Sequence, residues 1–375
     1  MAGTFQLLFD GTPVDDDLYQ AISSLQVEEN LDLPDAIQLG IAVSRTAAGE
    51  LDYPGDRRLR PFTNVAVVAT LEGGTDECIF DGYVLSHKLH LQTGVTASTL
   101  EVWGQDSSWL MNLDEKVREW VDVTDAQVAS SIFSDYGIIP SGDNTDDDSP
   151  AHSEDGHSLM QRGSDIRFLR DLARRNGKFC RVACTGTPGE RTGYFCKPKL
   201  DADPVAVITL NDPEAPTVES LDLEWDVARP SAVGASQALF NDDTPEGVSA
   251  DATSSGLDRL DDQDLATFAG QTMTVLLTTP VDDGGELSLR AQSVLQESGW
   301  FVRCEGEADA ARVGTVLRVN TLVQLDGLGS LHSGKYLVWS VRHTITGDAH
   351  RMRFALYRNA MGAALSGGGP PGRLP

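Results

Sequence analysis

Phe5–Phe9 gives way at once to Asp10-Gly11-Thr12-Pro13, and this alternation of a short apolar run with a turn-forming cluster governs most of the 375-residue chain. Ile37–Val43, Val65–Leu71, Ile79–Leu85 and Ser98–Trp103 repeat it, rich in Val, Ile and Leu and punctuated by Gly, Pro and Asp. Such side chains fit a pleated, half-buried surface, so runs this short specify the strands of a sandwich or barrel. After Phe179 the pattern resumes through Val207–Leu210, Leu221–Trp225, Trp300–Cys304, Val316–Val319, Leu322–Leu325, Tyr336–Thr346 and Met352–Tyr357, the last of which read as a meander. Within the N-terminal stretch, Leu33-Pro34-Asp35-Ala36 reads as a short helical turn, because proline suits a first helical position.

Between the two β-rich stretches the period changes. Val128, Ala129, Ile132, Phe133 and Tyr136 recur at helical spacing behind Thr124-x-x-Gln127, which has the form of a capping box, and Gly137 stops the run. A second helix follows a polar loop over Ser141–Asp155. Ser164 is expected to cap it, Asp165 to oppose its positive end, and Ile166, Leu169, Leu172 and Ala173 to form its buried stripe before Asn176-Gly177. A third is expected over Glu286–Gln296, with Leu289, Ala291, Val294 and Leu295 as its apolar positions. The chain is therefore read as mainly β with an α insert, an α+β class. The boundaries are a first β-barrel domain at 1–110, a helical insert at 111–177, a β-strand segment at 178–227, an irregular acidic segment at 228–285, a second β-barrel domain at 286–361 and a flexible tail at 362–375.

The formal charge of −28 and a pI near 4.4 set this surface against nucleic acid and anionic lipid. Asp15–Asp17, Asp146–Asp148 and Asp261-Asp262 read as solvated acidic runs. No run approaches the roughly 20 apolar residues of a bilayer helix, and Met1–Gln6 lacks a basic patch ahead of a long apolar region, so neither a membrane span nor a secretory signal is expected. Five scattered cysteines, Cys78, Cys180, Cys184, Cys196 and Cys304, do not form a disulfide framework and read as buried thiols. Cys180, Cys184 and Cys196 lack a fourth ligand at zinc-finger spacing.

An enzyme's local signatures are missing: there is no Gly-x-Ser-x-Gly elbow, no His-Glu-x-x-His and no phosphate loop ending in Gly-Lys-Ser/Thr. Asp143–Asp147 with Glu154 mimics a calcium loop, yet Asp148 occupies the position where such a loop needs glycine. His87 and His90 fall on opposite faces of a strand, and His343 reads as a packed core residue. No catalytic, cofactor-binding or metal-ligating residue is assigned.

An ordered series of motifs resembles the late control D tail proteins of contractile phages and the hub-forming N-terminal portion of VgrG spike proteins. They are Leu31–Ala36, Phe80-Asp81-Gly82-Tyr83-Val84, Leu100–Asp106 with Trp109-Leu110, Phe133–Ile138, Gln161-Arg162-Gly163-Ser164-Asp165-Ile166-Arg167-Phe168-Leu169, Leu331–His343 with Gly334 and Tyr336, and Phe354–Asn359. The resemblance covers most of Met1–Met361 and carries little in 228–285. It assigns scaffold roles to Asp81, Gly82, Asp106, Gln161, Ser164, Asp165, Phe168, Leu169, Gly177, Gly334, Tyr336 and His343.

The resemblance implies a non-enzymatic baseplate hub, whose two tube-like β-barrel domains are related by pseudo-symmetry. A homotrimer of it would adapt a hexameric inner tube to a trimeric spike, assembling in the cytoplasm into a phage tail or injection particle. The implied partners are other copies, the inner tube protein, a separate spike protein and other baseplate proteins, because the sequence stops short of a spike's needle base; no cofactor is implied. Two other classes stay open: a cargo- or receptor-binding baseplate component, and a cell-wall hydrolase.

Overall fold

Ile22–Asn30 alternates Leu25, Val27 and Glu29 inward with polar side chains outward, and it becomes a strand at the middle of the molecule. The computed structural model describes residues 4–71, 76–93, 98–154, 158–210, 212, 216–237, 248–281 and 284–362, so the end of the polar loop at Asp155 and nearly all of the 362–375 tail lie outside the described residues. The first half comprises β1 (Thr4–Phe9), β2 (Thr12–Pro13), α1 (Asp16–Ala21), β3 (Ile22–Asn30), β4 (Ala36–Val43), β5 (Asn64–Thr70), β6 (Asp76–His90) and β7 (Ser98–Asp106). Its antiparallel ladder runs β3-β4-β7-β6-β5-β1, with β2 at the end.

An insert then contributes β8 (Glu115–Trp120), α2 (Asp125–Asp135), β9 (Ile139–Thr145), β10 (Leu159–Ser164), α3 (Asp165–Arg175), β11 (Phe179–Cys184) and β12 (Arg191–Cys196). Thr124 and Gln127 form the expected capping box of α2. Phe133, Leu169, Trp120 and Phe195 close a core separate from that of the large sheet.

β13 (Ala206–Thr209) and β14 (Val218–Trp225) return to the large sheet. The 228–285 stretch, expected to be irregular, carries β15 (Ala232–Gln237), β16 (Val248–Ser249), α4 (Leu265–Ala269) and β17 (Thr274–Leu277). With α5 (Gly284–Gly299) it buries Val233, Ala235, Leu287, Ala291 and Leu295 in a small core of its own. Then come β18 (Val302–Asp309), α6 (Ala310–Val313), β19 (Leu322–Asp326), α7 (Gly329–His332), β20 (Gly334–Ile345) and β21 (His350–Arg358). The second ladder runs β14-β18-β21-β20-β19-β13, antiparallel except for the parallel β13–β19 pair.

The two ladders are one sheet because β20 pairs with β3 from Ser340↔Asn30 to Ile345↔Leu25. Leu25, Val27, Leu39, Val67 and Phe80 share a continuous core with Phe301, Tyr336, Val341 and Phe354.

Three expectations are corrected. Leu33–Ala36 is not helical: Asn30 Oδ1 accepts the Asp32 and Leu33 amides and Asp35 Oδ1 accepts the Asn30 amide, so side-chain acceptors build a β-turn connection where proline alone suggested a helix start. Val316–Val319 is not a strand: Val316, Leu317 and Val319 are buried, but they belong to a connection whose Leu317 amide donates to Met352 Sδ. Ser164 precedes α3 but makes no capping hydrogen bond, because its hydroxyl is turned to Asn112 Oδ1 at 2.6 Å.

A Cβ added to Gly82 would run into the Gln105 carbonyl and stand 2.7 Å from the Phe80 ring. Gly82→Ala is expected to cost about 1–3 kcal/mol in urea unfolding. Gly55→Ala, with nothing within 4 Å, should stay within about 0.5 kcal/mol of the parent.

Candidate functional site

The most developed polar cluster is buried where the first half, the second half and the insert meet. Arg181, a lone charge within the apolar β11, donates to Asp35 Oδ2 at 2.9 Å and stands 3.6 Å from Glu29. Arg318, in the connection before β19, donates to Glu29 Oε1 at 2.6 Å, to Glu77 at 3.3 Å and to the Cys184 carbonyl at 3.2 Å. His343 Nε2 lies 3.5 Å from Glu29, while His343 Nδ1 and His350 Nε2 share a hydrogen bond of 3.0 Å. Asp106 accepts the Asp35 amide at 2.6 Å and the Ser108 amide at 2.7 Å.

Full burial would raise the Glu29 carboxyl, but Arg318, His343 and Arg181 outweigh it and hold the group at about 2. Burial, with Glu29 and Asp106 nearby, carries Asp35 up to about 7 against the pull of Arg181. Burial and the facing His343 push His350 down to about 3, so that imidazole stays neutral. The cluster's chemistry is mutual neutralisation.

The sequence-singled residues fall in several places. Asp106 and His343 belong to the junction. Asp81 receives Asn64 Nδ2 at 2.9 Å, Arg191 at 2.8 Å and the Gly189 amide at 2.6 Å, which docks the β11–β12 hairpin on the first half; Gly82 beside it permits close strand approach. Gln161 bridges Trp120 Nε1 at 3.1 Å and Asp165, which also takes Tyr136 OH at 2.7 Å and Lys116 Nζ. Leu169 is fully buried in the insert core and Phe168 packs against it. Gly177, at φ 66°, ends α3. Gly334 and Tyr336 surround Arg358, which is fully buried, ion-paired to Asp261 and 5.2 Å from the Tyr336 ring centroid. Sequence reading passed over Glu29, Asp35, Arg181, Arg318 and Arg358; a single charge in an otherwise apolar run, as in Phe179–Cys184, was the available signal.

Two further clusters are ion-paired. Asp125 pairs with His152 at 2.7 Å and Arg175 at 3.1 Å. In the calcium-like loop, Asp148 binds Lys178 and Lys197 at 2.5 and 2.7 Å, and Asp146 accepts the Lys197 amide. The five cysteines are free and buried, and burial raises the Cys180, Cys196 and Cys304 thiols to about 12. Among the described residues no group of three or more His, Cys, Asp or Glu is placed to hold a metal ion, and no helix is long and apolar enough to cross a membrane. A half-open cleft of about 350 Å³ lies between α3 and α5 beside Trp300 and Trp339.

Because Glu29 sits near 2 when folded and 4.5 when unfolded, its stabilisation is complete above pH 4.5 and is lost as pH falls towards 2. Glu29→Gln should therefore cost about 3–5 kcal/mol at neutral pH by removing the buried counter-charge that Arg318, Arg181 and His343 share, leaving Arg318 only the more exposed Glu77. Its stability should also fall less steeply than the parent's between pH 4.5 and 2 in denaturant titrations; equal slopes would contradict this assignment.

No curated protein matches the chain. Solved structures do. The 43 kDa tail protein of prophage MuSo2 from Shewanella oneidensis superposes with a TM-score of 0.67 at 16% identity, over 96% of this chain and 100% of that one. A tail protein from Neisseria meningitidis MC58 gives 0.67 at 12% identity, over 96% and 97%. The E. coli c3393 protein, a component of the type VI secretion system, gives 0.56 at 13% identity, over 96% and 80%. At these identities the likeness is one of fold. The family model of the Alg8 N-terminal domain matches residues 1–347, and the chain belongs to that family.

Proposed function

We propose that the chain is a non-enzymatic baseplate hub of a contractile phage tail or contractile injection system, three copies of which adapt a sixfold inner tube to a threefold spike. The reading keeps the resemblance to late control D and VgrG hub proteins, and the fold shared with a prophage tail protein, a second tail protein and a type VI secretion component supports it.

The observation that carries it is a repeated ladder. In chain order, β1, β3, β4, β5, β6 and β7 pair with one another in the same order as β13, β14, β18, β19, β20 and β21, with the same antiparallel sense except at the last pair, where β1–β5 is antiparallel and β13–β19 parallel. Details repeat too. β6 bulges between Val84 and Ser86 against β7, and β20 between Val338 and Ser340 against β21. Phe62 and Asn320, both at φ 67°, donate to the Val84 and Val338 carbonyls respectively. Ile22-x-Ser-Leu-x-Val-Glu28 is echoed by Val218-x-Ser-Leu-x-Leu-Glu224. Two near-equivalent modules per chain are what a threefold assembly needs to present six similar positions. In this reading the second module draws strands from 206–225 as well as from 286–361, and the 111–196 insert and the 228–299 subdomain decorate the ring.

A cargo- or receptor-binding role is the second reading, favoured by the edge strand β17, where Leu276 is 82% exposed, and by Met273 just before it, 53% exposed. Light scattering on the purified chain, alone and with its spike and tube proteins, is expected to give a three-copy mass in at least one mixture. A monomer throughout would count against the hub.

A further inference from the structure

Two of the strand edges left unpaired among the described residues of the large sheet are the counterparts of the two that pair in the internal seam. β20 is flanked over Ser340–Ile345 by β21 on one side and β3 on the other. Its counterpart β6 is flanked over Ser86–His90 by β7 alone, since β5 reaches only to Tyr83. β3 lies between β4 and β20, whereas its counterpart β14 has only β18.

We propose that β6 of one copy pairs antiparallel with β14 of the next, repeating between chains the β20–β3 seam within the chain. This deepens the hub reading and rests on it. The register transfers residue by residue. Ser86 and Ser340 each follow the bulge, and Glu28 and Glu224 hold the same position in their ladders. The internal pairs Ser340↔Asn30, Val341↔Glu29, Arg342↔Glu28 and His343↔Val27 then become Ser86↔Asp226, His87↔Trp225, Lys88↔Glu224 and Leu89↔Leu223 between chains.

Two observations independent of the hydrogen-bonding pattern favour a second copy as the occupant. Charge is complementary: Arg342 donates to Glu28 at 2.8 Å across the internal seam, and the transferred pair is Lys88 with Glu224, both exposed. Burial is complementary as well. Leu25 and Val27 are fully buried in the internal seam, while their counterparts Leu221 and Leu223 are only half-buried. Trp225 and Leu91, on the core-facing side of these edges, are 51% and 50% exposed. An open edge with apolar flanks invites strand addition, and a head-to-tail contact of this kind gives a ring when its rotation closes after three copies.

The test is engineered cross-linking of the full chain. Directly opposed antiparallel residues bring Cβ atoms within about 4.5–5.5 Å. Under copper phenanthroline, K88C/E224C is expected to give at least fivefold more interchain-linked dimer and trimer than the off-register K88C/E219C. The parent should stay unlinked, because its cysteines are buried. As a second readout, K88E and E224K should each raise the concentration for half-assembly by roughly threefold or more, and the double charge swap should restore it. A three-copy particle that neither cross-links in this register nor responds to charge reversal would overturn the seam and leave the hub reading standing. A chain that stays monomeric with its spike and tube proteins would overturn both.

Discussion

The antiparallel seam between Ser340–Ile345 and Leu25–Asn30 makes one molecule of two ladders, and the rest of the structure depends on its register. A slip of one residue in β3 would turn Glu29, with Leu25 and Val27, out of the interior and bring Gln26, Glu28 and Asn30 in, taking from Arg181, Arg318 and His343 the carboxylate they share. Stranding a buried guanidinium is far costlier than losing a surface pair. The polar junction therefore acts less as a source of net stability than as a penalty on every alignment but one.

That junction also explains how the insert is held. Arg181 enters from β11, Arg318 from the connection before β19, and Asp81 fastens the β11–β12 hairpin through Arg191 and the Gly189 amide. The insert has its own apolar core, yet its position is set by polar contacts to both halves: Arg181 and Arg191 find their carboxylates on the first, and Arg318 of the second reaches the Cys184 carbonyl.

Alternation of short apolar runs made the β class, the helical insert and most of the large-sheet strands legible. β3 escaped because Gln26, Glu28, Glu29 and Asn30 dilute its apolar signal, although Leu25 and Val27 keep the strand period. The helix expected at Pro34 yielded to Asn30 and Asp35, whose side chains satisfy the turn amides. Ser164 has the residue type of an N-cap, but the partner of its hydroxyl is Asn112, distant in sequence. The ion cluster was the least legible part, because its members come from remote strands and a buried carboxylate looks like a surface one until the fold assembles it. The ladder repeat was hidden by divergence in side chains while its bulges and left-handed residues persisted.

The two strand ladders differ most in one connection. β3 passes to β4 through the short turn at Leu31–Asp35, whereas the equivalent passage from β14 to β18 carries the whole subdomain of β15, β16, β17, α4 and α5. In a closed collar of three chains, every second position would then bear a lug and the positions between would be bare. In that proposed collar a binder that reads only the strands would meet a six-toothed wheel; one that grips the lugs would find three keyed stops, and could seat in only half of the rotational settings open to the first.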